Sequence, residues 1–291
     1  MKIVEPSATI IEDELSQLSI YQRIAYCAGV CYQREPRKTE EEAQAFCKRM
    51  VEIGHHSTLE MAVVHLWVDS EIFYDSYVGN GKYFNVKTLP GFGQGAVISG
   101  SIRAFIEADD TNVMDHMRQE LATMYPVFFE HKIKKSSLYT GAAEPHEIPW
   151  QHKHVAVRFI VNRAISHELV RHRPMSFLQE SQRYCRYDDE VVFIRPEWFD
   201  KDYDGAARIW EIGVYACADR YKDLLNRGLK PQQARAVLPN STKTELIAYA
   251  SLPQWRHIFN LRCSPAADPE MRRVMIPLEQ EFRAKYPEAW A

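Results

Sequence analysis

The chain has 291 residues, 46% hydrophobic and 26% charged, with a formal net charge of −3. That balance excludes a disordered chain. It also excludes a global attraction to nucleic acid, so any anion must be recognised locally, and no run approaches the ~20 apolar residues that span a bilayer.

The opening MKIVEPSATIIEDE carries acids where a signal peptide carries an unbroken apolar run, which predicts a cytoplasmic protein. Helical periodicity covers residues 16–28 and 40–53, the second closed by Gly54 as a C-cap. Residues 61–68 (MAVVHLWV) are β-branched and aromatic, the pattern of a strand. Glycines and a proline across 80–100 predict a loop or hairpin. Helical spacing returns in SIRAFIEA and over 112–129, and a second strand covers 154–161 (HVAVRFIV). A helix starting at Arg163 must stop by Pro174, because proline disfavours helix in the residue before it. The run after it is read as loop. Thr242-Lys243-Thr244-Glu245 fits a capping box and predicts a helix toward Ser251, and a further helix covers 254–261. Helices with separated strands and no internal repeat point to an α+β fold.

Cys27, Cys31, Cys47, Cys185, Cys217 and Cys263 form no CxxC pair and read as reduced thiols. His167 and His172 are five residues apart, about 140° out of line on a helix, so they do not make the paired face of a helical zinc site. Ser176 and Ser181 belong to no GxSxG elbow. The run RHRPMSFLQESQRYCRY gathers Arg171, Arg173, Arg183 and Arg186 around those two serines. Guanidinium forks bind phosphate bidentately and hydroxyls complete its hydrogen-bond shell. Asp188, Asp189 and Glu190 come directly after, a poor track for a nucleic-acid polymer. A nucleotide-sized anion fits better.

The pattern RHRxxSxxxxSxRY resembles the signature of the flavin-dependent thymidylate synthases, with Arg171-His172-Arg173 running to Ser181. Gly54-His55-His56-Ser57-Thr58-Leu59-Glu60 is similar to the family's GHxSxxEH stretch, with Met61 in place of its last histidine. Ala234-Arg235-Ala236-Val237-Leu238-Pro239 and Trp255-Arg256-His257 through Arg262 also match, in family order. The resemblance implies a central, largely antiparallel sheet flanked by long helices. It implies one domain over 1–291 with a family-variable insertion within 62–153. The implied reaction is reductive methylation of dUMP with methylenetetrahydrofolate, FAD and NADPH, in a homotetramer with shared active sites. UMP, dCMP or CMP as substrate, hydroxymethyl transfer, and a non-catalytic nucleotide or single-strand binder remain alternatives.

By the same resemblance Arg171, Gln179, Ser181, Gln182 and Arg183 hold the nucleotide, with Arg235 reaching it from a neighbouring subunit. Glu168 stands on that side, where some members carry glutamine. Arg262 is the activating residue. His172, Arg173 and Ser57 contact FAD, Arg171 is shared between flavin and nucleotide, and His55, Glu60 and His257 line the flavin and folate side. One departure stands out: residues 251–255 read SLPQW where many members read NLRxW, whose asparagine and arginine help hold FAD.

Overall fold

The computed structural model describes residues 2–34, 39–68, 84–88, 95–109, 112–132, 142–143, 147–201 and 203–291. Contacts divide the chain into two compact units. The first comprises Met1–Asp13, Ala28–Glu35 and Val155–Ala291, and the second Glu14–Cys27 and Pro36–His154. Strands β1 (Lys2–Val4) and β2 (Ser7–Ile10) open the chain and find their partners in its second half.

Then follow α1 (Glu12–Ser16) and α2 (Ile20–Gly29), where the sequence predicts one helix over 16–28. The division falls at Ser19, whose hydroxyl accepts from the Gln22 amide while the Gln22 side chain accepts from the Ser19 amide, each at 3.2 Å. That reciprocal pair starts a helix at residue 20. A second capping box, between Thr39 and Glu42, starts α3 (Glu40–Glu52). Gly54 follows that helix at φ +69°, the left-handed conformation that suits glycine.

A 3-10 turn (His56–Met61) leads into β3 (Val63–Val68), which pairs antiparallel with β5 (Ala96–Ser101). The strand β4 (Phe84–Thr88) pairs antiparallel with β5 as the hairpin reading expects; residues 80–83 and 89–94 of that reading lie outside the described residues. Ser101 ends β5 and caps α4 (Ile102–Glu107) by accepting from the Ala104 amide at 3.1 Å. At its far end the fully buried Arg118 donates to the Phe105 and Ala108 carbonyls, at 2.8 and 2.5 Å. The helix expected over 112–129 is α5 (Asn112–Met124) and α6 (Pro126–Phe129). Pro126 enters at the first turn of α6 and leaves Tyr125 at φ −133°, outside helical space. β6 (Ala142–Ala143) completes the four-stranded sheet β4-β5-β3-β6. Leu66, Ile98, Phe105, Leu121 and Phe128 are fully buried in the core of this unit.

In the first unit β7 (His154–Asn162) runs straight into α7 (Arg163–Leu169). The loop reading after Arg173 needs correction, because Ser176–Gln179 form a strand, β8. Then come β9 (Val192–Ile194), α8 (Ala206–Asn226), α9 (Pro231–Ala234), β10 (Lys243–Ser251), α10 (Leu252–Arg262) and α11 (Pro269–Lys285). The predicted helix from Thr242 to Ser251 is therefore a strand. The Thr242 hydroxyl donates to the Pro239 carbonyl at 2.7 Å rather than capping a helix. Thr244 and Leu246 are buried while Lys243 and Glu245 are not, so the supposed capping box is one period of strand alternation. β10 lies between β7 and β8 in the order β2-β7-β10-β8, and β1 pairs parallel with β9. Trp255 of α10 is fully buried against Phe259 and Phe282, and its indole donates to the Val155 carbonyl at 3.0 Å. Among the described residues no helix is long and apolar enough to cross a membrane.

Candidate active site

Asn162 ends β7 and caps α7, its side chain accepting from the Ile165 amide at 2.9 Å. The same side chain donates to Glu270 of α11 at 2.9 Å, so the helix that leads into the RHR run is pinned at its start. Beyond that helix the chain turns back, with the His172 amide on the Leu169 carbonyl at 3.1 Å. His172 is thereby buried and meets Arg262 at the last turn of α10.

Arg262 donates from Nε to His172 Nε2 at 2.8 Å and from Nη1 to Glu168 Oε2 at 2.6 Å. Its Nη2 reaches the Glu168 carbonyl at 3.3 Å. An imidazole nitrogen that accepts from an arginine must be unprotonated. Burial, then the charges of Arg262 and His257, push the His172 pKa down to about 4. Glu168 is paired, so its carboxylate does not stand bare beside a nucleotide.

Gln179 ends β8, and its amide nitrogen donates to Ser166 Oγ at 2.9 Å and Thr244 Oγ1 at 3.1 Å. Ser181 is anchored through its amide to the Cys31 carbonyl at 3.1 Å, and its hydroxyl accepts from the Arg183 amide at 3.3 Å. Arg183 leans on Gln232 at 3.3 Å and lies 5.2 Å from the Tyr184 ring centre. Arg171, Arg173 and Arg235 are exposed, and among the described residues their guanidinium groups make no hydrogen bond or ion pair. Gln182 is half-buried and His257 is exposed on α10. Burial pushes the Cys185 thiol up to about 11, with Glu180 adding to the effect, so it is a structural thiol.

The sequence pattern alone did not reveal Glu180. Its side chain is fully buried, with Lys243 Nζ at 2.8 Å and the Tyr187 hydroxyl donating to its other oxygen. Burial first, and then Glu180, drive the Tyr187 pKa far upward. This triad locks the loop after β8 onto β10. The alternation that brings Leu178 and Glu180 to one buried face could have marked it, but reading 176–179 as loop and 243–251 as a helix hid both it and its partner Lys243. A cavity of about 210 Å³ beside Tyr187 is lined by Asp188, Asp189, Glu190, Arg186 and Lys243. Three carboxylates make it a poor phosphate site, and none of the sequence-predicted site residues lines it.

The second unit holds His55, Ser57 and Glu60 on and beside the 3-10 turn. His55 is exposed, and its carbonyl accepts from the Thr58 hydroxyl at 3.3 Å. Ser57 is half-buried. Glu60 takes Nη1 of Arg103 at 2.7 Å, and Arg103 Nε donates to Glu107 at 2.8 Å. Glu107 also meets His56 Nδ1 at 2.9 Å. Burial alone would raise the Glu107 pKa, but Arg103 and His56 outweigh it and hold the carboxyl below its ordinary range. Neither Arg103 nor Glu107 stands out from the sequence.

Among the described residues, then, an α+β frame leaves Arg171, Arg173 and Arg235 exposed and uncommitted. A family model described as "Thymidylate synthase complementing protein" matches residues 102–288, and the chain belongs to that family. It is 36% identical over 124 residues to a flavin-dependent thymidylate synthase of Pyrococcus furiosus, a match covering 42% of this chain and 50% of the relative. With the enzyme of that name from Mycobacterium tuberculosis the identity is 35% over 156 residues, covering 48% of this chain and 62% of the relative. The chain thus spans about half to three-fifths of the curated relatives it matches. Among solved structures it is similar to a UMP/dUMP methylase from Streptomyces cacaoi bound with 5-Br UMP. That likeness has a TM-score of 0.42 at 23% identity and covers 48% of this chain and 73% of the other.

Proposed function

We propose that the protein is a flavin-dependent enzyme that methylates dUMP to dTMP. In this reading methylenetetrahydrofolate donates the carbon, FAD is the redox carrier and NADPH the reductant. It works in the cytoplasm as a homotetramer. Membership of the family supports this reading, and one observation carries it: Arg171, Arg173 and Arg235 hold charge that no described residue neutralises. Two of these exposed arginines, Arg171 and Arg173, belong to the run that also holds Ser181 and the lightly held Arg183, and such a set suits a phosphate, which accepts forked and hydroxyl donors together. The donor set also fits an anionic dinucleotide. Arg171 and Arg173 stand exposed on either side of the buried His172.

Bound flavin supplies the hydride; the chain's own residues bind, orient and polarise. Ser181 and Arg183 take the nucleotide phosphate, with Gln182 beside them and Arg235 coming from a neighbouring subunit. Gln179 spends its amide protons on Ser166 and Thr244. Its carbonyl oxygen is then left to accept from the N3–H of a uracil ring. Arg262 stabilises negative charge developing on the ring, and the neutral His172 and the carboxylate of Glu168 fix its guanidinium plane. His172, Arg173, Ser57, His55, Glu60 and His257 serve the flavin and folate side.

A panel of dUMP, UMP, dCMP and CMP, incubated with reduced FAD and methylenetetrahydrofolate and read by mass spectrometry, tests the reading. The expected product is dUMP plus a methyl group. Preferred turnover of another nucleotide, or a hydroxymethyl product, replaces the substrate or reaction assignment. Arg262→Ala is expected to lower dUMP-dependent flavin oxidation by about a hundredfold or more, the scale for removing a charge-stabilising group. An unchanged rate removes Arg262 from the chemistry.

A further inference from the structure

β8 ends at Gln179, and the residue after it begins a tight turn whose two ends meet on one carboxylate. Glu180 opens the turn, its amide donating to the Glu245 carbonyl of β10 at 2.8 Å. Tyr187 closes it, its hydroxyl donating to the side chain of Glu180, seven residues back. Between these ends the chain coils about two carbonyls. The Ser181 amide and the Cys185 thiol both reach the Cys31 carbonyl, at 3.1 and 3.5 Å. The Tyr184 and Cys185 amides return to the Ser181 carbonyl at 3.0 and 2.8 Å. Cys185 is buried, while Arg183, Tyr184 and Arg186 are exposed. Asp188 holds Arg186 Nε at 2.5 and 2.7 Å. Among the described residues Arg183 bonds only Gln232, at 3.3 Å, which leaves it as the available cation of the turn.

Burying a carboxylate is unfavourable unless it is paired and hydrogen-bonded. Glu180 is fully buried, and Lys243 neutralises it at 2.8 Å. Lys243 is also 3.7 Å from Glu245, which holds Arg158 at 2.6 Å. Two cations thus meet two carboxylates beneath the turn, so this network adds no net attraction for an anion. Its effect is mechanical. Tyr187 is fixed in its turn, with its amide on the Tyr221 hydroxyl at 3.4 Å and its ring 5.8 Å from that of Tyr221 on α8. Ordering loops and side chains is one of the main costs of binding. A turn tied at both ends has little freedom left to lose when an anion docks on it.

We propose that Glu180 and Tyr187 form a clasp that preorganises the turn bearing Ser181 and Arg183 for the nucleotide phosphate, acting as positioning residues and not as ligands. The clasp rests on the nucleotide reading under Proposed function. Tyr187→Phe removes the hydroxyl while the Glu180–Lys243 pair and the ring packing stay in place, so no buried charge loses its partner. Calorimetric titration of the full chain with dUMP and with deoxyuridine, which lacks the phosphate, reads the effect. In Tyr187→Phe the affinity for dUMP is expected to fall about tenfold and that for deoxyuridine to stay unchanged. KM for dUMP should rise while kcat stays within about twofold, the signature of lost binding rather than lost chemistry. In hydrogen exchange the Tyr184 and Cys185 amides should be protected in the free wild type, gain little from dUMP, and exchange faster in Tyr187→Phe. Unchanged dUMP affinity, or an equal loss for both ligands, overturns the clasp and leaves the nucleotide reading standing. So does a turn that is unprotected in the free wild type and becomes protected only with dUMP. A wild-type chain that binds no pyrimidine nucleotide overturns both. Should Tyr187→Phe not fold, the exchange measurement on the wild type decides.

Discussion

Arg262 has all three guanidinium nitrogens committed, two of them to Glu168. The pair is partly buried, so changing the acid to an amide removes charge while keeping an acceptor. Glu168→Gln is expected to cost at most about 1 kcal/mol of stability and to tighten dUMP binding about fivefold, since a carboxylate no longer competes for the arginine. Calorimetric titration checks the second effect; weaker binding would mean that Glu168 itself holds the substrate. His172 sets a pH dependence. Its pKa is depressed from 6.5 to about 4, so between those values the unfolded chain takes up a proton that the folded chain refuses. Stability is therefore full above pH 6.5 and falls as pH drops toward 4, by up to about 3 kcal/mol from this residue. His154, depressed by burial to about 3, acts in the same direction. Denaturant titrations from pH 4 to 7 should show a shallower slope for His172→Gln than for the wild type. An unchanged slope would place the linkage in His154.

Pro253 stands where the family resemblance leads one to expect an arginine, yet it does no harm to its helix. It occupies the first turn of α10, where an amide has no partner within the helix. Pro253→Ala should shift stability by no more than about 0.5 kcal/mol. Asn162 is the contrast, because it caps α7 and also reaches Glu270. Asn162→Ala is expected to cost about 1–2 kcal/mol by thermal melting, and an equal, small effect at both positions would remove Asn162 as the pin of α7. These junctions also mark how far local spacing carries. RHR, the serines and GHHSTLE were legible because neighbouring residues alone define them. The strand at Lys243–Ser251 was not, because Thr-x-x-Glu is a helix cap in isolation and becomes a strand when β7 and β8 lie on either side. Arg103 reads from sequence only as part of a helix. Its bearing on Glu60, 43 residues away in sequence, exists only once β3 and β5 pair.

At the scale of the molecule, the outer face of α8 carries exposed Ile209, Ile212 and Tyr215, opposite the buried Val214, Ala218 and Tyr221. Exposed apolar patches on soluble proteins commonly mark association surfaces. For the tetramer we propose, Ile209→Glu with Ile212→Glu should shift the particle mass below four copies of the 33.9 kDa chain without lowering the melting temperature of the protomer. Mass photometry with calorimetry reads both, and an unchanged tetramer would move the interface elsewhere. The sequence could not show this face as unpartnered, since its periodicity matches that of a buried helix.

Pairing of β1 with β9 and of β2 with β7 has a consequence for biosynthesis. Translation runs from amino to carboxyl end, and the second unit is complete in sequence at His154. Its Arg103–Glu60 pair can therefore form during elongation, whereas β1 and β2 wait for segments not yet made. The ribosome delivers the histidine and glutamate cluster first, and the arginine loop around Ser181 only after it.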